Sequence, residues 1–405
     1  MSIARSLSEA PAAPPRPAAD SRPREALAAG RDLRIDLLRG LALWMIFVDH
    51  IPRNILRLVT YHRIGYSDAA EIFVFLSGVS CSLAYGRLLT RNGFPAAQRR
   101  ALGRVLQIYL GYLVVAILTF TLVLSCRDAL GAEYLAANDL DLLLAAPVRS
   151  FLAAGILYYT PQYLDILPLY MVFVALAPVL ICGLRRFPRL TLGASAALWI
   201  ATALEPHLRI PNLVSGSFNP LSWQFLFCIG LWVGGHFYGV EPFRAVRGIV
   251  VISAFLIAAN LLARIVYDFG RGPGHFHLAL LDEFRAASNG GNEGFPRLTH
   301  FLAVAYIFAA YGWRRDAGAL RQSWARPLVW CGQHSLEVFC VGVVLGDVIA
   351  VYFLKMQPNV AGQLLANAFG LVAMVVLAWS LGVREQGKAA VSLARRGSRE
   401  PTPPF

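Results

Sequence analysis

The chain has 405 residues, of which 57% are hydrophobic and 15% charged. With a mean hydropathy of +0.54, that excludes an ordinary water-soluble domain, a disordered regulator, a collagen-like chain and a small disulfide scaffold. Lys and Arg number 37 against 24 Asp and Glu, a formal charge of +13. In a soluble protein that surplus would suggest nucleic acid. Here the basic residues punctuate long apolar runs, so membrane topology explains them and no nucleic-acid partner is expected. The six cysteines, Cys81, Cys126, Cys182, Cys228, Cys331 and Cys340, form no C-x-x-C pair and read as small packing residues, with no metal site expected.

Residues 1–34 lack the apolar core of a cleaved signal peptide and are biased to Pro, Ala and Arg, which predicts a disordered cytoplasmic arm. A helix needs about 20 apolar residues to cross a bilayer. Ten runs qualify: Ile35–Ile51, Ala70–Tyr85, Val105–Leu124, Ile166–Leu184, Leu190–Leu204, Leu221–Tyr238, Ile249–Tyr267, Thr299–Trp313, Leu328–Phe353 and Val360–Val383. An eleventh run, Leu142–Tyr159, is arbitrated by loop charge. If it does not cross, twenty-five basic residues fall on the side of the N-terminal arm and ten on the other. Letting it cross would invert every later loop, so it reads as a re-entrant or interfacial helix, interrupted by Pro147 and Arg149. The expected fold is therefore all-α: a polytopic membrane bundle over 35–383, with a disordered cytoplasmic tail at 384–405. The membrane bilayer is its first partner.

A charge near the bilayer centre costs at least about 2.5 kcal/mol, so it needs a partner, a wet cavity or a task. In RIDLLRGLALWMIFVDH, Asp36 and Arg39 are three apart and can pair on one face. Arg39 and His50 are eleven apart, about 1,100° of rotation, and so share a face roughly 16 Å apart along the axis. One reading lets both side chains snorkel to the headgroups. The other makes His50 a general base for a hydroxyl proton. Asp49 faces elsewhere and is expected to pair with another element. Glu71, at the outer end of the second run, is a candidate to hold the imidazolium. Ser77 and Gly78, mid-run, read as close helix packing or a substrate contact.

Around the other outer mouths, Asp165, Asn219, Trp223 and Gln224 stand level with Tyr158, Tyr159, Gln162 and Tyr163. Trp223 is either an interface anchor or, with its neighbours, part of a sugar-binding lip. His300 starts the eighth run on the outside. His334 starts the ninth on the inside, three residues before Glu337 and on the same helix face. His275 and His277 form an H-x-H pair without a third ligand. No phosphate-binding loop, dinucleotide fingerprint, zincin motif or nucleophile elbow is present, which excludes nucleotide hydrolysis, hydride transfer and ordinary hydrolase chemistry.

The segments RIDLLRGLALWMIFVDHIPRN, AEIFVFLSGVSCSLAYGR, FNPLSWQFLFCIG, RLTHFLAVAY and CGQHSLEVFCVGV together resemble the OpgC family of inner-membrane proteins, associated with succinylation of osmoregulated periplasmic glucans. The family is similar to a wider superfamily of membrane acyltransferases, whose paired Arg and His on the first helix match Arg39 and His50. The superfamily's Arg-rich turn has counterparts in Arg100 and Arg104. Val79 stands where the superfamily has Phe, and its W-S-L-x-x-E segment has no clear counterpart. The resemblance implies acyl transfer from a cytoplasmic acyl-CoA, its phosphates on Arg100 and Arg104, to a periplasmic glucan, with His50 as base, Arg39 guiding the thioester or succinyl carboxylate, and no bound cofactor. Two other readings stand beside it: a transporter or flippase for an anionic glycan, and a partner subunit for glucan synthesis proteins.

Overall fold

A computed structural model describes residues 32–160, 164–210, 218–236, 245–269, 286, 288, 290–312 and 324–397. No strand occurs among the described residues. The chain opens on α1 (Leu33–His50), whose start is set by Asp32: its carboxylate accepts from the Arg34 amide at 2.8 Å, one of the donors a helix leaves unpaired at its N-terminus. Two short 3-10 segments, Ile55–Leu58 and Tyr61–Arg63, carry the chain across the end of α1.

The second and third expected runs lie in one helical stretch, α2 (Ala69–Leu130), because the basic turn between them is helical too. Gly93, with φ 77° and ψ 177°, breaks it in a region that glycine alone enters cheaply. Two limbs fold back there: Arg100 and Arg104 of the second limb act electrostatically on Tyr85 of the first. Beyond it come three short helices, α3 (Ala132–Ala137), α4 (Asp141–Ala145) and α5 (Pro147–Gly155). At 1.5 Å per residue α5 reaches only about 14 Å, half the hydrocarbon thickness. It is held along the second limb by Tyr109 Oη donating to Gly155 O at 2.6 Å. The run Leu142–Tyr159 is thus two helical pieces beside the bundle, neither long enough to cross.

The remaining helices are α6 (Ile166–Arg186), α7 (Pro188–Leu204), α8 (Pro220–His236), α9 (Arg247–Phe269), α10 (Phe295–Ile307), α11 (Arg326–Gln333), α12 (Ser335–Met356) and α13 (Val360–Gly397). Among the described residues, five helices are long and apolar enough to cross a membrane: α2, α6, α9, α12 and α13. The periphery is apolar, with Phe255 of α9 and Leu365 of α13 both more than two-thirds exposed, as a lipid-facing surface requires.

The hub is α2, which packs on α6, α8 and α12. Gly78 faces Phe227 O and Gly230 faces Phe75 O, so the α2 and α8 backbones touch. Small residues at such a crossing let helices approach where side chains would hold them apart.

Two expectations need correction. The run Leu328–Phe353 is not one helix: His334 has non-helical φ −112° and ψ 43° and separates α11 from α12. Gly332 packs on the Asp36 backbone and Gly40 on that of Leu328, so α11 runs antiparallel to α1; Gly346, against the His50 Cβ, makes α12 run parallel to it. The helix α13 also continues past Val383 to Gly397, because REQGKAAVSLARRG is dominated by good helix formers that need no packing partner.

Candidate active site

At the end of the bundle where α1 stops and α2 and α10 begin, a group of buried polar side chains meets. The sequence Asp68-Ala-Ala-Glu71 closes a capping box on α2: Asp68 accepts from Ala70 N and donates its own amide to Glu71 Oε2, both at 2.8 Å. The free edges of these carboxylates face Arg297 of α10, whose Nε donates to Glu71 Oε1 at 2.7 Å and whose Nη2 donates to Asp68 Oδ2 at 2.9 Å. Burial alone would raise the Asp68 carboxyl, but the charge and hydrogen bond of Arg297 outweigh it and hold the group well below the usual carboxylate range.

One turn further along α10, His300 is fully buried. Its Nδ1 bonds the Ser67 hydroxyl at 2.6 Å, Ser67 bonds the Tyr61 hydroxyl at 2.7 Å, and the imidazole stacks on the Tyr61 ring. His300 Nε2 has no hydrogen-bond partner among the described residues.

His50 enters the same region from α1. Its Nδ1 faces Ile46 O, which places the ring proton there and the lone pair on Nε2. The charges that act on the imidazole are those of Asp68 and Arg57. Glu71, expected beside His50, is instead engaged by Arg297; the carboxylate that acts on the imidazole is Asp68, opposed by Arg57. Asp49 accepts from Thr60 Oγ1 at 2.7 Å, away from the imidazole.

Towards the other end of α1, Arg39 has a buried Nε without a hydrogen-bond partner among the described residues. Its charge and that of Arg104 both act on Cys81 and on Tyr170 of α6. Arg104 itself is half-buried and donates to Gln107 Oε1 at 3.2 Å. Asp36 is buried at the α1–α11 contact, and Ser77 is buried beside the α2–α8 crossing, next to Tyr170 of α6. Arg100 is exposed near Tyr85.

The remaining candidates do not join this site. Asn219 caps α8 by accepting from Leu221 N at 3.1 Å, and it donates to Leu208 O and Asn292 Oδ1. Trp223 is fully buried and donates to Gly290 O at 2.9 Å, so its ring is closed to stacking by a sugar. Gln224 is held by Ser195 on α7. These groups spend their hydrogen bonds on the protein because the segment before α10 folds over the start of α8. Asp165 is buried at the start of α6. His334, in the break, points towards Gly382 of α13 while Glu337 is exposed, so the expected shared helix face is absent. Gln162, Tyr163, His275 and His277 lie outside the described residues.

Sequence reading missed Ser67, Asp68, Glu293 and Arg297. The D-x-x-E capping signature before an apolar run was available for Asp68; nothing local marked the others. Glu293 is fully buried with neither carboxyl oxygen partnered among the described residues, and its backbone is left-handed at φ 44°. Burial pushes this carboxyl up to about 8, with Arg297 opposing and Asp68 adding. The unfolded chain releases that proton near pH 4.3, so stability is full below that value and declines as pH rises towards 8. The thermal midpoint of the purified protein should fall between pH 6 and 9, and Glu293→Gln should remove most of that fall; an unchanged slope in the variant would assign the dependence elsewhere.

The arrangement offers an imidazole between the opposing charges of Asp68 and Arg57 at one end of α1 and, at the other, a guanidinium whose buried Nε has no hydrogen-bond partner among the described residues. No solved structure matches the chain. A family model described as OpgC protein matches residues 31–386, nearly the whole helical bundle, and the chain therefore belongs to the OpgC family and is an enzyme of acyltransferase type acting in glucan modification.

Proposed function

We propose that the chain is a succinyltransferase-like enzyme of the bacterial inner membrane, crossing it ten times with both termini in the cytoplasm. The two limbs of α2, together with α1, α6, α7, α8, α9, α10, α12 and α13, supply the ten crossings, and the surplus of basic residues on the side of the termini supports the orientation. The donor is a cytoplasmic acyl-CoA and the acceptor a periplasmic glucan.

The single observation that carries the reading is the shared face of α1. There Arg39, with an Nε unpartnered among the described residues, stands beside the Arg104 end of the bundle, and His50 stands at the opposite end beside Asp68. Arg100 and Arg104 hold donor phosphates, and Arg39 receives the thioester or the succinyl carboxylate. His50 Nε2 removes the proton from a glucan hydroxyl as the oxygen bonds the thioester carbonyl carbon. The C–S bond then breaks, and the leaving thiolate takes the proton back from the imidazolium. Asp68 stabilises the cation formed between these steps.

Mass spectrometry and charge separation of periplasmic glucans from strains with and without the protein test this directly. Transfer adds the mass and negative charge of a succinyl group, whereas a transporter leaves glucan mass unchanged. His50→Ala should abolish the modification at normal membrane levels of protein. Full modification by that variant removes the base assignment, and identical glucans in both strains remove the transferase reading.

A further inference from the structure

The first limb of α2 presents two different surfaces at its Arg87 end. Cys81 faces the charges of Arg39 and Arg104 and Tyr85 those of Arg104 and Arg100, while Ser82 and Gly86, each about 100° further round the helix, face α6 and α8. On that second surface lies a cavity of about 510 Å³, within the size range of small-molecule sites. Arg87, Arg91, Arg185 and His236 line it, and among the described residues no carboxylate does.

We propose that this cavity binds a phosphate-bearing anion. Arg185 is positioned for it: Nη2 donates to Gly86 O at 2.8 Å and Nη1 to Thr90 Oγ1 at 3.1 Å. Both acceptors are neutral, so they orient the guanidinium across the mouth without cancelling its charge. Arg91 is exposed at the same rim, one turn beyond Arg87. Several guanidiniums converging with a hydroxyl, here that of Ser82, make the donor pattern that tetrahedral phosphate oxygens accept, while Thr90 donates its own proton to Gly86 O and serves to hold Arg185. Room is kept by glycine: a Cβ at Gly235 would meet only the Ser82 hydroxyl, at 3.1 Å, so a long side chain there would project into the open volume.

The site is separate from the Arg39 group and does not depend on the acyl-transfer reading. A soluble phosphate compound and the headgroup of an anionic phospholipid share this chemistry, and the experiment separates them. The full chain, purified in neutral detergent, is titrated calorimetrically with pyrophosphate. In parallel it is placed in phosphatidylcholine nanodiscs with or without phosphatidylglycerol, and retained lipid is counted by native mass spectrometry. Two variants are compared, Arg91→Gln combined with Arg185→Gln, and Gly235→Leu, which fills the cavity without touching a charge. Pyrophosphate binding that weakens about tenfold or more in both variants identifies a soluble ligand. Phosphatidylglycerol retained by the wild type and lost from both identifies a lipid. The proposal is overturned if the wild type holds neither probe, or if both variants hold them as the wild type does.

Discussion

Arg297→Ala should lower the unfolding free energy by about 3–5 kcal/mol, the cost of breaking a buried ion pair from one side. The guanidinium is 10% exposed and Glu71 is fully buried, so water cannot replace what is lost. Two carboxylates, Glu71 and Asp68, would lose their counter-ion, and a third, Glu293, would lose the one charge that opposes its protonation at high pH. The same arginine joins the start of α2 to the start of α10, so its removal loosens the junction that carries Ser67 and His300. Arg297→Lys keeps the charge but not the two-pronged geometry and should recover only part of the loss.

Acid provides an internal check. Asp68 is held below its unfolded value, so its stabilising contribution is complete above about pH 4 and is lost as pH falls through its depressed folded value. The difference between wild type and Arg297→Ala should therefore be large at pH 7 and shrink below pH 4. Thermal unfolding across that range measures it; a deficit under about 1 kcal/mol at pH 7 would show that the cluster is not an anchor.

The second large effect is expected at the crossing of α1 and α11. Gly40 and Gly332 each lie against the backbone of the opposite helix, Leu328 and Asp36 respectively, with no room for a Cβ. A flexible side chain can turn away from an added methyl group, whereas a helix backbone must translate whole. Gly332→Ala should thus cost about 3 kcal/mol, at the upper end of ordinary overpacking. The displacement would act on function as well, since α11 wedges between α1 and α13 beside Arg39. Gly103→Ala is the control: nothing lies within 4 Å of its position, so replacing a helical glycine there should be neutral or mildly stabilising. Size-exclusion profiles and thermal midpoints of the three proteins in detergent decide the matter, and equal behaviour of Gly332→Ala and Gly103→Ala would refute the close crossing.

Hydropathy and spacing carried a good deal on their own. The helical class, the long apolar runs and the shared face of Arg39 and His50 are sums or rotations over neighbouring residues, which a linear string contains in full. Loop charge also separated Leu142–Tyr159 from the long helices, and the structure has short pieces there. Tertiary contacts decided the rest. Trp223 and Asn219 look like an open lip in the string, yet a segment about 70 residues away in sequence covers them. The helix broken at His334 was hidden because hydropathy is continuous across it. Above all, the ion cluster unites Glu71 and Asp68 with Arg297, partners 226 and 229 residues away. An ion pair is selected by the distance between charges after the chain has packed, and no local periodicity records which helix ends arrive at the same corner of the bundle.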